Sequence, residues 1–166
     1  MQTDSTTLRC ASAVSSLDDL DAAVAEVSSE IDARLDGAQP DLLFVFTTHH
    51  HGGDLARVSA ELVETTGAAE AAGCTGAWTA GTGKELEQRP GLSVLAARLP
   101  DTEVEVIRLA PPGEGGWDAD ALPIDDPERT SAIVMADPFT FPVPTLLDDL
   151  AETQPGLAVT GGLASG

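Results

Sequence analysis

Four short stretches of this sequence carry side chains able to do chemistry. The first is His49-His50-His51, three consecutive imidazoles between an apolar run and Gly52-Gly53. An imidazole can exchange a proton near neutral pH, make directed hydrogen bonds or ligate a metal. Side chains alternate along a strand, so three adjacent rings cannot converge from one, but a turn can aim two of them at a point. The run is read as a polar loop contacting a ligand, with plain exposed histidines and a metal site as the competing readings. A metal would need a further donor such as Cys74 or Asp137, and the run lacks the paired spacing of a zinc site, so no metal is assigned.

The second stretch is Gly73-Cys74-Thr75-Gly76. A thiol with a histidine within about 3 Å would be a nucleophile and its base; a free cysteine among glycines is otherwise a buried small residue beside a close backbone approach. Backbone amides of such a loop can also hold a small anion. Gly83-Lys84 continues into Glu85 rather than Ser or Thr, which breaks the phosphate-loop pattern. Third, Glu85 and Glu87 would share one face of a strand and either bind an ammonium or divalent cation or face water. Fourth, Asp137 follows an apolar run and either receives an amine or caps a turn; Phe139 and Phe141 beside it are assigned to the core.

The elements that position these groups follow from the hydrophobic period. Thr7 to Val14 alternates as a strand, and Leu17, Leu20, Val24, Val27, Ile31 and Leu35 recur at helical spacing. Leu42 to Phe46 is apolar on both faces, as in a covered central strand. Leu55, Val58 and Leu62 mark a second helix closed by Gly67, and Ala69 to Gly73 a further strand. Leu92 to Leu99 and Glu103 to Leu109, separated by Pro100-Asp101-Thr102, predict an antiparallel hairpin. Ala132 to Ala136 reads as a buried strand, Val143 to Leu150 as a short helix and Leu157 to Thr160 as a last strand. The fold class is therefore α/β with α+β character: a mixed sheet containing an antiparallel hairpin, with helices packed on it. The proline-, glycine- and acid-rich stretch 111–129, which holds Trp117, is expected to be an exposed irregular loop. No internal repeat of fixed period is visible.

Composition limits the function. The chain has 166 residues, 42% of them apolar, enough for one ordinary core. Its formal charge is −20, with one lysine and seven arginines, too few cations to neutralise a run of nucleic acid phosphates or to grip an anionic membrane. An acidic surface of this kind keeps the chain soluble and fits a salt-adapted host. No apolar run approaches the roughly 20 residues of a membrane helix and no export signal is seen, so a cytoplasmic chain with reduced Cys10 and Cys74 is expected.

Three segments in order carry a family resemblance: Asp41-Leu-Leu-Phe-Val-Phe-Thr-Thr-His-His; Gly73-Cys-Thr-Gly-Ala-Trp-Thr-Ala-Gly-Thr-Gly-Lys-Glu-Leu-Glu with Gly91-Leu-Ser-Val-Leu-Ala-Ala; and Ala136-Asp-Pro-Phe-Thr-Phe-Pro with Gly161-Gly-Leu-Ala-Ser-Gly. Together they resemble the N-terminal domain of the FIST family, the "F-box and intracellular signal transduction" proteins. The resemblance covers residue 8 to the end and is that of a C-terminally truncated member, so 1–166 is expected to be a partial domain, followed in a full-length relative by a FIST C-terminal region. It implies an intracellular, non-catalytic sensory domain that binds a small polar ligand, with amino acids as the proposed class, and no cofactor. Two alternatives stand beside it: a thiol hydrolase or transferase using Cys74 with a nearby histidine, and a protein-recruiting module like the F-box relatives, with Trp117 as its anchor. Thr47-Thr48 replaces the family's usual Ser-Pro, and Trp78 stands where a glycine is usual and could fill a cavity left open in relatives. The family supplies no catalytic residue. The expected ligand-binding set, drawn from local chemistry and these segments, is His49, His50, Gly73, Cys74, Thr75, Gly76, Glu85 and Asp137.

Overall fold

The acidic and apolar periods resolve into elements whose ends are set by caps. In the computed structural model, which describes residues 7–51, 54–110, 122 and 124–164, helix α1 spans Leu20–Arg34. Its first turn is closed by the Asp19 side chain accepting from the Ala22 amide at 2.8 Å. That cap starts the helix after Leu17, which is exposed. Helix α2, Leu55–Thr66, is capped by Asp54 and ends at Gly67, whose φ of 69° is the left-handed geometry that the C-terminal position favours. Arg57 on α2 joins the helices by reaching Asp21 of α1 at 3.0 Å, and it also contacts Asp54 and Glu61.

Strands β1 (Arg9–Ser15), β2 (Leu42–Thr48), β3 (Glu70–Gly76) and β6 (Leu92–Arg98) form one sheet in the order β1-β6-β2-β3. β2 and β3 run parallel, while β6 lies antiparallel to both β1 and β2. The sheet is mixed, as the fold class requires. Ala11, Ala13, Leu43, Val45, Leu92, Val94 and Ala96 pack against Val24, Val27 and Ile31 of α1 and Val58 and Leu62 of α2, so both helices cover one face. The short hairpin β4 (Trp78–Gly81) and β5 (Lys84–Glu87) covers part of the other face: Ser93 Oγ donates to the Ala80 carbonyl at 2.8 Å and Ser12 bonds Thr82.

The antiparallel component differs from the expected hairpin. Pro100-Asp101-Thr102 does turn the chain, with the Thr102 amide donating to the Leu99 carbonyl at 3.3 Å. Residues 103–110 form no strand, however, because both edges of β6 are already taken by β1 and β2. A strand remote in sequence has won the edge that the local turn offered.

The chain divides into two compact units, the first ending at Ile107 and the second running from Arg108 to Ala164. The second contains β7 (Ser131–Ala136), α3 (Val143–Thr153) and β8 (Ala158–Leu163), with β7 and β8 parallel. β7 is less covered than its apolar run suggests: Ile133 is half-exposed, since β8 is the strand's one partner among the described residues. Trp117 and most of the 111–129 stretch lie outside the described residues.

The two units share a pattern that the sequence hides. In β2-α2-β3, Gly73 is the register partner of Val45, and in β7-α3-β8, Gly161 is the register partner of Val134. A Cβ on either glycine would fall 1.8 or 1.9 Å from the opposed valine carbonyl oxygen. Each crossover helix buries an i, i+4 pair, Val58 and Leu62 or Leu146 and Leu150. Glu61-Leu62-Val63-Glu64-Thr65 corresponds to Asp149-Leu150-Ala151-Glu152-Thr153, and both threonine hydroxyls donate to the carbonyl one turn back at 2.7 Å. The two β-α-β crossovers share these features.

Candidate functional site

Parallel β1, β2 and β3 deliver their carboxyl ends to one edge of the main sheet, the position where ligands meet open α/β sheets. The register pairs Phe46 with Cys74, Thr47 with Thr75 and Thr48 with Gly76. His49, His50, Thr75 and Gly76 are thereby brought to adjacent strand ends. Gly73 and Cys74 lie further back on β3, and Cys74 shares with Phe46 the sheet face away from the helices.

Thr48 organises the edge. It is fully buried; its Oγ1 donates to the Arg89 carbonyl at 3.1 Å and accepts from the Gly91 amide at 3.0 Å. His50 Nδ1 lies 3.3 Å from the same oxygen. With the hydroxyl proton given to Arg89, the assignment that satisfies all three partners makes His50 Nδ1–H the donor, which leaves Nε2 as an outward acceptor. His49 and His50 are exposed and stack, with ring centroids 4.1 Å apart.

His51 ends this single 3-10 turn and behaves differently. It is 8% exposed, and its Nε2 is buried with no hydrogen-bond partner among the described residues. Burial, reinforced by neighbouring His50 and opposed by Asp18, holds its pKa below the ordinary histidine value. The sequence shows three identical neighbours and does not tell the third from the first two.

The remaining expected residues lie on other elements. Glu85 and Glu87 are exposed and flank the buried Leu86, so alternation turns both away from the packed side of the hairpin. Asp137 belongs to the second unit, where it caps a turn: its carboxylate accepts from the Phe139 amide at 2.9 Å and the Thr140 hydroxyl at 2.8 Å. That turn carries Phe139 outward to 91% exposure, which corrects its assignment to the core. Trp78 is 58% exposed and fills no cavity among the described residues.

Cys74 sits in surroundings that do not favour a reactive thiolate. No imidazole hydrogen-bonds its sulfur among the described residues, and burial pushes the thiol pKa up, against thiolate formation. Among the described residues no group of three or more His, Cys, Asp or Glu side chains is placed to hold a metal ion, and no helix is long and apolar enough to cross a membrane.

Comparison with known proteins decides the family. A model of the FIST N domain matches residues 41–166. The chain belongs to the FIST N family. Members of this family are sensory domains of signal transduction. Two uncharacterised proteins from two strains of Mycobacterium tuberculosis are each 25% identical over 159 residues. The match takes in 96% of this chain and 41% of theirs, so this FIST N chain spans well under half the length of the curated relatives it matches. No solved structure matches significantly.

Proposed function

We propose that this chain is the ligand-receiving part of a cytoplasmic sensory protein and binds a small polar ligand, with an amino acid as the leading class. The observation that supports this most is the β2–β3 register, which sets the His49–His51 turn beside Thr75 and Gly76, with the buried His51 Nε2 unpartnered among the described residues. In this reading the amides between Gly73 and Gly76 that β3, an edge strand among the described residues, does not give to β2 receive an anionic group, and Cys74 acts as wall rather than nucleophile. His49 and His50 offer imidazole nitrogens to the polar remainder. Asp137 and Glu85 belong to the reading on charge alone, as receivers for an amine. The role is non-catalytic, uses no cofactor, and passes its signal through a FIST C-terminal region.

Calorimetry with a panel of the twenty amino acids tests it. Binding by at least one member, weakened about fivefold or more by His50→Ala, is expected, since a hydrogen bond is worth on the order of 1 kcal/mol. Absence of heat from every member at millimolar concentration would contradict the reading.

A protein-recruiting role is the second reading. It draws on Ile133, Phe139, Leu147 and Leu163, large apolar side chains exposed in the second unit. Loss of a partner on Phe139→Ser, with folding unchanged, would favour it.

A further inference from the structure

A pocket of about 330 Å³ opens at the other edge of the main sheet, where β1 and β2 begin and β6 ends. That size is at the lower end of small-molecule sites. Arg9 and Arg98 both line it. They are register partners across the antiparallel pair β1–β6, the arrangement in which like charges repel most directly. A chain of formal charge −20 thus sets two of its seven arginines face to face in one concavity.

Neighbouring carboxylates answer this charge incompletely. Arg9 Nη1 contacts Asp36 at 3.1 Å, but the Asp36 side chain is 75% exposed, so water screens the pair strongly. Arg98 Nη1 contacts Asp41, whose second oxygen is taken by the Leu99 amide at 2.6 Å. Each guanidinium meets its carboxylate through Nη1, and its fork offers five donors suited to a two-oxygen acceptor. The carboxyl ends of α1 and α2 lie at this edge, and their dipoles favour nearby cations. That accounts for basic residues here without accounting for two of them directly opposed. Gln39, lying across Gly67 where no Cβ intervenes, adds an amide to the pocket wall.

We propose that this pocket is an anion-binding site, separate from the carboxyl edge, which takes a small molecule by a carboxylate or phosphate group shared between Arg9 and Arg98. The site would raise the local concentration of an anion that the rest of the surface repels.

The test is a titration of the isotope-labelled chain with inorganic phosphate and with succinate, each against sodium chloride at matched ionic strength, followed by backbone amide shifts. Saturable shifts confined to Gln39, Gly67, Ala69 and the Arg9 and Arg98 amides are expected, with low-millimolar affinity weakened about fivefold or more in Arg9→Gln. Arg98→Lys, which keeps the charge beside Asp41 and loses the fork, should weaken binding while leaving the rest of the spectrum in place. Tighter phosphate than succinate binding assigns the phosphate group and the reverse order the carboxylate; both support the site. No saturation by about 20 mM, equal shifts with chloride, or unchanged affinity in Arg9→Gln overturns it.

Discussion

A Cβ on Gly73 would stand 1.8 Å from the carbonyl oxygen of Val45, its register partner across β2–β3. The two strands approach as they do because one has no side chain there. Since the clash is with backbone, no rotamer change can relieve it, and Gly73→Ala should cost more than about 3 kcal/mol or prevent folding. Gly37→Ala is the control: nothing lies within 4 Å of its Cβ, and a φ of 73° alone should cost about 1 kcal/mol. Urea unfolding of both variants checks this, and equal midpoints would show that the close approach is absent in solution.

The second crossover makes the same demand. Gly161→Ala would bring a Cβ to 1.9 Å from the Val134 oxygen. Hydrogen exchange should show faster exchange of the β7–β8 amides in this variant. Unchanged protection there would mean that the matching glycine has no matching role.

His51 predicts an acid-sensitive fold. Its folded pKa is lowered, so on acidification the unfolded chain, with an ordinary value of about 6.5, takes up the proton first. The stability linked to this group is fully present above that value and is lost as the pH falls toward the folded one. Denaturant melts from pH 7.5 to 5 should show a smaller loss for His51→Leu than for the parent chain. Identical slopes would show that the imidazole is not held neutral by its surroundings.

The two cysteines should differ in reactivity. Cys10 is exposed, whereas Cys74 is half-buried with its thiol pKa raised by desolvation. Iodoacetamide at about pH 8, read by mass spectrometry, should label Cys10 first, leaving Cys74 largely unmodified until the chain unfolds. Faster labelling of Cys74 would revive the thiol-enzyme reading.

Local signals proved legible and competitive ones did not. Gly67 announces the end of α2, and the doubly apolar Leu42–Phe46 announces a covered central strand; both depend on a few neighbouring residues. The partner of β6 depends on a contest between Arg9–Ser15 and residues 103–109 for one edge, which neither segment's own pattern decides. Hairpin β4–β5 escaped notice because its glycines and threonines read as a loop. The adjacency of the strand ends at Thr48 and Gly76 was legible, because β-α-β order makes β2 and β3 neighbours. The inward turn of His51 was missed, and also the outward turn of Phe139, which depends on hydrogen bonds made by Asp137 two residues before it. The likeness of the two crossovers stayed hidden because little beyond Glu61–Thr65 and one glycine matches between them.

The central claim is reception of a small polar solute at the carboxyl edge, and mapping of backbone amide shifts during titration with the amino acid that gives the strongest heat tests it most directly. Saturable shifts should cluster at Thr48 to His51 and Gly73 to Gly76. Saturable binding whose shifts fall elsewhere, leaving those two turns unmoved, would contradict it.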